Sequence, residues 1–244
     1  MKGVILAGGT GSRLYPLTRA TNKHLLPVGK KPMILYSVQK MIDSGITDIM
    51  VITGTEHMGP MISLLGSGKS YGCSFTFRVQ DEPSGIAGAL LLAESFTAND
   101  KFVAILGDNI FEDSLSLSIK RFKESKKSCH LLLKKVPDPE KYGVAIIEND
   151  EIVGAIEKPS IPISSDCITG IYMYDKSVYG IIRGIDISDR GEYEITDVNN
   201  AYIKNKNIGW EYLKGWWTDA GTHKSYRAAN QLMSSQGDEE SIHE

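Results

Sequence analysis

Hydrophobic and polar positions change their period several times along the chain. Residues 3–7 form a short apolar run ending in glycines, which predicts a buried strand. Ile34, Leu35, Val38, Met41 and Ile42 then fall on one helical face, and Gly45 stops it. The branched run 48–53 predicts a second strand, and a helix follows from about 57 to 65. Residues 74–80 alternate like a half-buried strand, residues 85–96 are rich in Ala and Leu and predict a helix, and 101–109 is an unbroken apolar strand ending abruptly in Gly-Asp-Asn. Strands alternating with helices imply a largely parallel sheet covered on both faces.

Beyond Ser128 the pattern shifts. "CHLLLKKV", "YGVAIIEND", "EIVGAIEKP" and "CITGIYMYD" are four strand-like runs separated by short turns, which predicts an antiparallel insertion or sub-sheet. Helical periodicity returns over 194–204 and again over 223–234, enclosing a short strand near 210–213. The predicted fold class is α/β: a Rossmann-like, mixed and mainly parallel sheet flanked by helices, with an antiparallel sub-sheet. Without a repeat, a low-complexity tract or a linker, residues 1–236 read as one domain and 237–244 as an acidic, frayed tail.

Charge narrows the possible partners. Lys and Arg number 27 against 30 for Asp and Glu, and four of those acids lie in the last eight residues, so the body is nearly neutral. A nucleic-acid coat or membrane-surface role needs a concentrated basic face, which is missing here. No run approaches a membrane span, and the apolar run near the N-terminus is too short for a signal peptide. The three cysteines, Cys73, Cys129 and Cys167, have no C-x-x-C spacing, so neither a disulfide framework nor a structural zinc site is expected, and a reducing cytoplasm fits.

The candidate chemistry begins at "ILAGGTGSRL", residues 5–14. Leu14 stands where G-x-G-x-x-G requires Gly, and no G-K-[ST] follows, so neither a dinucleotide fingerprint nor a Walker loop is present. The small residues still let backbone N–H groups approach an anion, and Arg13 adds a planar donor fork suited to phosphate. Lys23 is a second cation ten positions on, and the two together suggest a polyphosphate with pyrophosphate as leaving group. A tight turn with two surface cations would explain the same residues.

Asp108 stands at the carboxyl end of an apolar strand, where ligands gather in open α/β sheets, and it suits Mg²⁺. A turn-forming Asp-Asn pair is the alternative. Asp219 is a second candidate metal ligand, although an N-cap of the last helix would place an Asp there too. Glu157 and Lys158 end a strand in "EKP", and Arg190 opens "RGEYEITD" before a helix. Trp210, Trp216 and Trp217 read as core or interface anchors, and His24 and His223 are given no catalytic role.

Taken in order, "GGTGSRLYPLTRATNKHLLPV", "VQDEPSGIA", "LGDNIF", "PEKYGVA", "EKP", "TGIYMYD", "RGEYEITDVN" and "WWTDAGTH" resemble the sugar-phosphate nucleotidylyltransferases from Lys2 to about Leu232. The resemblance implies transfer of a thymidylyl group from dTTP to α-D-glucose 1-phosphate, giving dTDP-glucose and pyrophosphate. It implies that dTTP lies over Leu6, Gly8, Gly9, Gly11 and Ser12, that Gln80 and the backbone near Gly85 read the base, and that Arg13 and Lys23 grip the triphosphate. Glu157 would then bond sugar hydroxyls, the Gly143 and Thr169 regions would line the sugar pocket on the antiparallel side, and Lys158 and Arg190 would hold the sugar phosphate. Asp108, close to the ribose, would share Mg²⁺ with Asp219.

The implied partners are these two substrates, with no nucleic acid and no membrane, and with a homo-oligomer left open. Because Gln80 suits uracil as well as thymine, a uridylyltransferase is the nearest alternative, followed by a non-catalytic nucleotide-sugar-binding module. Two positions depart from the family pattern. Ser12 replaces a common Thr, and Gly88 replaces a common Gln at a place that bears on nucleotide recognition and on the start of a helix. The chain resembles the family's short form, without the C-terminal segment associated with feedback binding of dTDP-rhamnose and subunit contacts.

Overall fold

The computed structural model describes residues 1–235, and the acidic stretch 237–244 lies outside the described residues. The chain opens with β1 (Lys2–Ala7), β2 (Pro27–Val28), β3 (Lys31–Pro32), α1 (Ile34–Asp43), β4 (Asp48–Gly54), α2 (Met58–Leu65) and β5 (Ser74–Gln80). It continues through α3 (Gly85–Leu91), α4 (Glu94–Thr97), β6 (Phe102–Leu106), β7 (Asn109–Phe111), α5 (Ser116–Glu124), β8 (Cys129–Lys135), β9 (Gly143–Glu148) and β10 (Glu151–Glu157). β11 (Asp166–Tyr174), α6 (Ser177–Gly184), α7 (Ile195–Lys204), β12 (Ile208–Tyr212), β13 (Trp217–Asp219) and α8 (His223–Ser235) complete it.

Strands β6, β1, β4 and β5 lie side by side and parallel. β6, β1 and β4 are apolar at consecutive positions because both faces are covered, whereas the edge strand β5 alternates and exposes one face. Val4, Ile52, Phe102 and Ala104 point into one core with Leu90 of α3, Tyr179 of α6 and Val198 of α7. Ile5, Val51, Val103 and Ile105 point the other way, against Val38 of α1, Met61 of α2 and Phe122 of α5.

The sheet forks at β11. Tyr172, Met173 and Tyr174 each pair with β6 on one edge and β8 on the other. Nearer the start of the strand, Cys167 pairs with β8 and with β9, so β6 and β9 share one edge of β11 and separate between. β10 extends β9 antiparallel and β12 extends β8 in parallel. The antiparallel strands expected after Ser128 are therefore an extension of the same sheet, and the carboxyl end of β6 opens into the fork.

Four elements differ from the sequence expectation. The run 101–109 breaks at Gly107, where the chain turns and Asn109 begins β7, which pairs with β13 outside the main sheet. The helix expected over 85–96 divides into α3 and the short α4. α5 and α6 had no sequence signal strong enough to predict them.

Gly170, in β11 at the fork, is required by close packing. A Cβ there would lie 2.6 Å from Asn109 Nδ2 and 2.7 Å from Leu106 Cδ1, while the Gly170 N–H donates to Asn109 Oδ1 at 2.9 Å. Gly170→Ala is expected to cost about 2 kcal/mol through overpacking and to lower the urea unfolding midpoint. An unchanged midpoint would contradict this packing.

Candidate active site

The glycine loop begins where β1 stops. Gly11 has φ +68°, a left-handed conformation, and the Thr18 hydroxyl donates to its carbonyl at 2.9 Å. A Cβ on Gly8 would stand 2.5 Å from Gln80 Oε1, so the absent side chain is what lets Gln80 reach across from β5. Buried Leu14 anchors the following single turn of 3₁₀ helix, from which Arg13 projects.

Asp108 occupies the turn between β6 and β7 and is buried. Its Oδ2 lies 2.5 Å from Lys23 Nζ, and its Oδ1 accepts from Asn109 Nδ2 at 3.1 Å. The pairing of Asn109 with Asp219 across β7 and β13 brings the second carboxylate alongside. A Cβ on Gly221 would lie 3.3 Å from Asp108 Oδ2, 3.6 Å from Asp219 Oδ2 and 3.2 Å from a guanidinium nitrogen of Arg13. Three charged groups from distant parts of the chain thus converge on one point that only a glycine leaves open. Asp219 is not an N-cap, since it lies within β13 and α8 begins at His223.

The two carboxylates differ in acidity. Burial opposes ionisation of Asp108, but the Lys23 ammonium, with the Lys23 and Asn109 hydrogen bonds, outweighs it and holds the carboxyl well below the usual range. Asp219 is pushed up to about 6, first by burial and then by the Asp108 charge, against the Tyr142 hydroxyl, Arg13 and Lys23. Tyr142 donates to Asp219 Oδ1 at 2.9 Å. His24, buried beside Lys23, is lowered to about 3 chiefly by burial and is neutral near pH 7, in keeping with its exclusion from acid–base chemistry.

Among the described residues, no group of three or more His, Cys, Asp and Glu side chains is arranged to hold a metal. Two carboxylates are too few for an all-protein cage. They do fit Mg²⁺, which keeps waters and completes its shell with phosphate oxygens.

Across the fork, Lys158 follows β10 with φ +40°, an uncommon conformation for a side-chain-bearing residue, and its N–H is held by the Tyr142 carbonyl at 3.0 Å. Its Nζ lies 3.3 Å from Glu157 Oε1. Arg190 forks onto Glu194, with Nε to Oε1 at 3.0 Å and a terminal nitrogen to Oε2 at 2.6 Å, and reaches Glu157 at 3.3 Å. Burial works against ionisation of Glu194, yet the Arg190 and Ser188 hydrogen bonds keep its pKa below the usual value. Glu157 Oε2 accepts from the Thr196 hydroxyl.

These residues line two adjoining cavities. One, of about 310 Å³, runs over Leu6, Gly8, Gly9, Gln80, Gly85 and Lys23. The other, of about 430 Å³, is bounded by Gly143, Glu157, Arg190 and Asp219. Arg13, Asp108 and Lys158 belong to both.

Three expected positions fall outside, the first being Gly11, which shapes the loop but lines neither cavity. Ser12 is exposed in the 3₁₀ turn and lines neither cavity. Thr169 is fully buried, and its hydroxyl donates to the Leu132 carbonyl at 2.7 Å, because alternation along β11 turns it away while Ile168 and Gly170 face the cavity. Asn109, Tyr142, Thr196 and Trp217 also line the site and Glu194 backs it, none of them expected there from the sequence. Trp217 is an anchor, as expected, but inside the site: its Nε1–H donates to Asn109 Oδ1 at 2.7 Å, and its ring packs edge-on against Tyr142. Only Glu194 left a sequence signal, four residues beyond Arg190.

Comparison with known proteins decides the family. A nucleotidyl transferase family model matches residues 2–236. The chain belongs to the nucleotidyl transferase family. A glucose-1-phosphate thymidylyltransferase of Neisseria meningitidis is 38% identical over 247 residues, covering 100% of this chain and 86% of the relative. Another from Mycolicibacterium smegmatis is 39% identical over 237 residues, 96% of this chain and 82% of its own. A Bacillus anthracis structure in complex with a sucrose superposes with a TM-score of 0.94 at 52% identity, covering 100% of this chain and 98% of that one. A UDP-glucose pyrophosphorylase complexed with UDP-glucose shares the fold, with a TM-score of 0.85 at 24% identity over 97% of this chain and 99% of its own. In this nucleotidyl transferase, no helix among the described residues is long and apolar enough to cross a membrane.

The raised pKa of Asp219 has a consequence for stability. The folded state holds this proton more tightly than the unfolded chain does. The stabilisation is therefore complete below about pH 4 and is lost as pH rises through about 6. In EDTA, Asp219→Asn is expected to be more stable than the parent at pH 8 by about 2 kcal/mol, or about 5 °C in Tm, with the gap closing towards pH 4. Thermal melts showing no gain at pH 8 would contradict the account.

Proposed function

We propose that the protein transfers a thymidylyl group from dTTP to α-D-glucose 1-phosphate, releasing pyrophosphate and forming dTDP-glucose. The observation that carries this reading is the pair of cavities joined through Arg13, Asp108 and Lys158. It is supported by relatives of that activity at 38% and 39% identity.

The smaller cavity takes the nucleotide. Its walls are apolar at Leu6, Pro83, Ile86 and Ala89, and Gln80 supplies one amide whose adjacent acceptor and donor match the N3–H and O4 of a thymine or uracil. Lys23 lies against Gly9, whose added Cβ would be 3.6 Å from Nζ, so a phosphate over the loop meets this ammonium. The larger cavity takes the sugar phosphate, with Lys158 and Arg190 for the phosphate and Glu157 for hydroxyls.

The nucleophile is a phosphate oxygen that is already an anion near pH 7, so no general base is needed. That oxygen forms a bond to the α-phosphorus, the bond to the bridging oxygen breaks, and the electron pair leaves with pyrophosphate. Bringing two anions together is the main obstacle: unit charges ~4 Å apart repel by about 4 kcal/mol at an effective dielectric near 20. Lys158 and Arg190 offset this on the acceptor, and Arg13 and Lys23 on the donor. Asp108 and Asp219 would hold Mg²⁺, which would neutralise phosphate charge. Fixing both substrates at the junction supplies the remaining advantage through orientation.

Pyrophosphate release measured with crossed panels of nucleoside triphosphates and sugar 1-phosphates tests the reading. Release is expected with dTTP and glucose 1-phosphate, and Arg13→Ala should lower its kcat roughly 100-fold while KM for glucose 1-phosphate stays within about threefold. No release with that pair, or an undiminished kcat in the variant, would defeat the assignment.

A further inference from the structure

Gly88, the departure from the family pattern, has a structural partner. A Cβ at residue 88 would stand 2.2 Å from Oγ and 2.7 Å from Cβ of Ser84, so Ser84 fills the space that a side chain there would need. On its other side Ser84 meets Gln80, whose Nε2 donates to Ser84 Oγ at 3.2 Å. The Ser84 carbonyl accepts the Tyr193 N–H at 3.0 Å, which ties its backbone to the segment before α7. The far end of the Gln80 amide is seated against Gly8. Ser84 lines neither cavity and stands behind Gln80.

We propose that Ser84 is a positioning residue for nucleobase recognition, acting through Gln80, and that Gly88 sets nucleotide specificity by leaving room for it. The inference rests on the reading of Gln80 as the group that faces the base. A glutamine held only by its own stem must surrender side-chain freedom when it binds, and one fixed beforehand does not. An amide reading an imide edge uses Oε1 for N3–H and one hydrogen of Nε2 for O4. The second hydrogen then points to the flank of the ring that carries C4 and C5, and Ser84 accepts it. Ser84 thus stands behind the amide on the flank that faces the 5-position, where thymine carries the methyl group that uracil lacks. A methyl group in such a site is worth roughly 10- to 200-fold in selectivity.

Steady-state kinetics with dTTP and UTP at saturating glucose 1-phosphate test the proposal on Ser84→Ala, Gly88→Ala and the double variant Ser84→Gly/Gly88→Ala. Ser84→Ala is expected to raise KM for dTTP about tenfold, with kcat and KM for glucose 1-phosphate within about twofold. Gly88→Ala, which drives Ser84 towards Gln80, should raise KM for dTTP at least as far and change the ratio of kcat/KM between dTTP and UTP. The double variant removes the collision, so it should be no worse than Ser84→Ala. Ser84→Ala deletes a single oxygen and keeps the test decisive if Gly88→Ala fails to fold. An unchanged KM for dTTP in Ser84→Ala, or a loss shared equally by kcat and KM for glucose 1-phosphate with a lowered Tm, would overturn the proposal. A parent protein inactive with both dTTP and UTP would instead overturn the reading of the site beneath it.

Discussion

Lys23 and Asp108 meet at 2.5 Å where β6 ends, with side-chain exposures of only 12% and 9%. A carboxylate taken out of water alone at such depth would cost roughly several kcal/mol and would take up a proton instead. The ammonium keeps Asp108 ionised, and the consequences spread outward. Asp219, brought alongside by the short β7 and β13 pairing, is pushed towards neutrality first by its own burial and then by this neighbour, which is already charged. The pair is therefore poised for a divalent cation, which would relieve the repulsion between its two members. Lys23 also leans on the glycine loop, so one ammonium serves the carboxylate and any phosphate above Gly9.

The fork in the sheet gives this charge cluster two sides. β11 runs past the end of β6 and picks up β9 on the same edge, so β6, which leads into Asp108, and the strands bearing Gly143 and Glu157 diverge around a cavity. Loops from both sides supply cations, and Lys23, Lys158 and Arg190 are each backed by an acid, Lys158 by Glu157. Lys23 has Asp108, and Arg190 has Glu194 as well as Glu157. Such backing fixes long side chains in place before a ligand arrives, the condition under which electrostatic stabilisation is most effective. The cost is a cluster of partly buried charge, and Asp219 carries the clearest mark of it.

Much of this was legible in the sequence wherever a periodic pattern or a glycine announced it. The apolar runs of β1, β4 and β6 have no polar alternation because both faces are buried, and that predicts a parallel sheet. Gly8, Gly9, Arg13, Lys23, Asp108, Lys158, Arg190 and Asp219 were all singled out, and the fold gathers them around the two joined cavities. α5 was hidden because only Ser118, Ile119 and Phe122 of its nine residues are buried, and α6 because Val178, Tyr179 and its paired isoleucines suit a strand equally well. Thr169 was misplaced by position alone, since one step along a strand reverses the face. Asn109 and Tyr142 escaped because the bonds that tie Asn109 to Gly170 and Trp217, and Tyr142 to Asp219, reach partners more than sixty residues away.

The account's central claim is that the protein brings two anions together for a single displacement at phosphorus, with no covalent enzyme intermediate. The most direct measurement is the stereochemical course of the reaction with dTTP made chiral by sulfur at the α-phosphorus. One in-line displacement predicts inversion of configuration in the dTDP-glucose analogue. Net retention would require two displacements, and with them a nucleotidylated side chain, which would contradict the account.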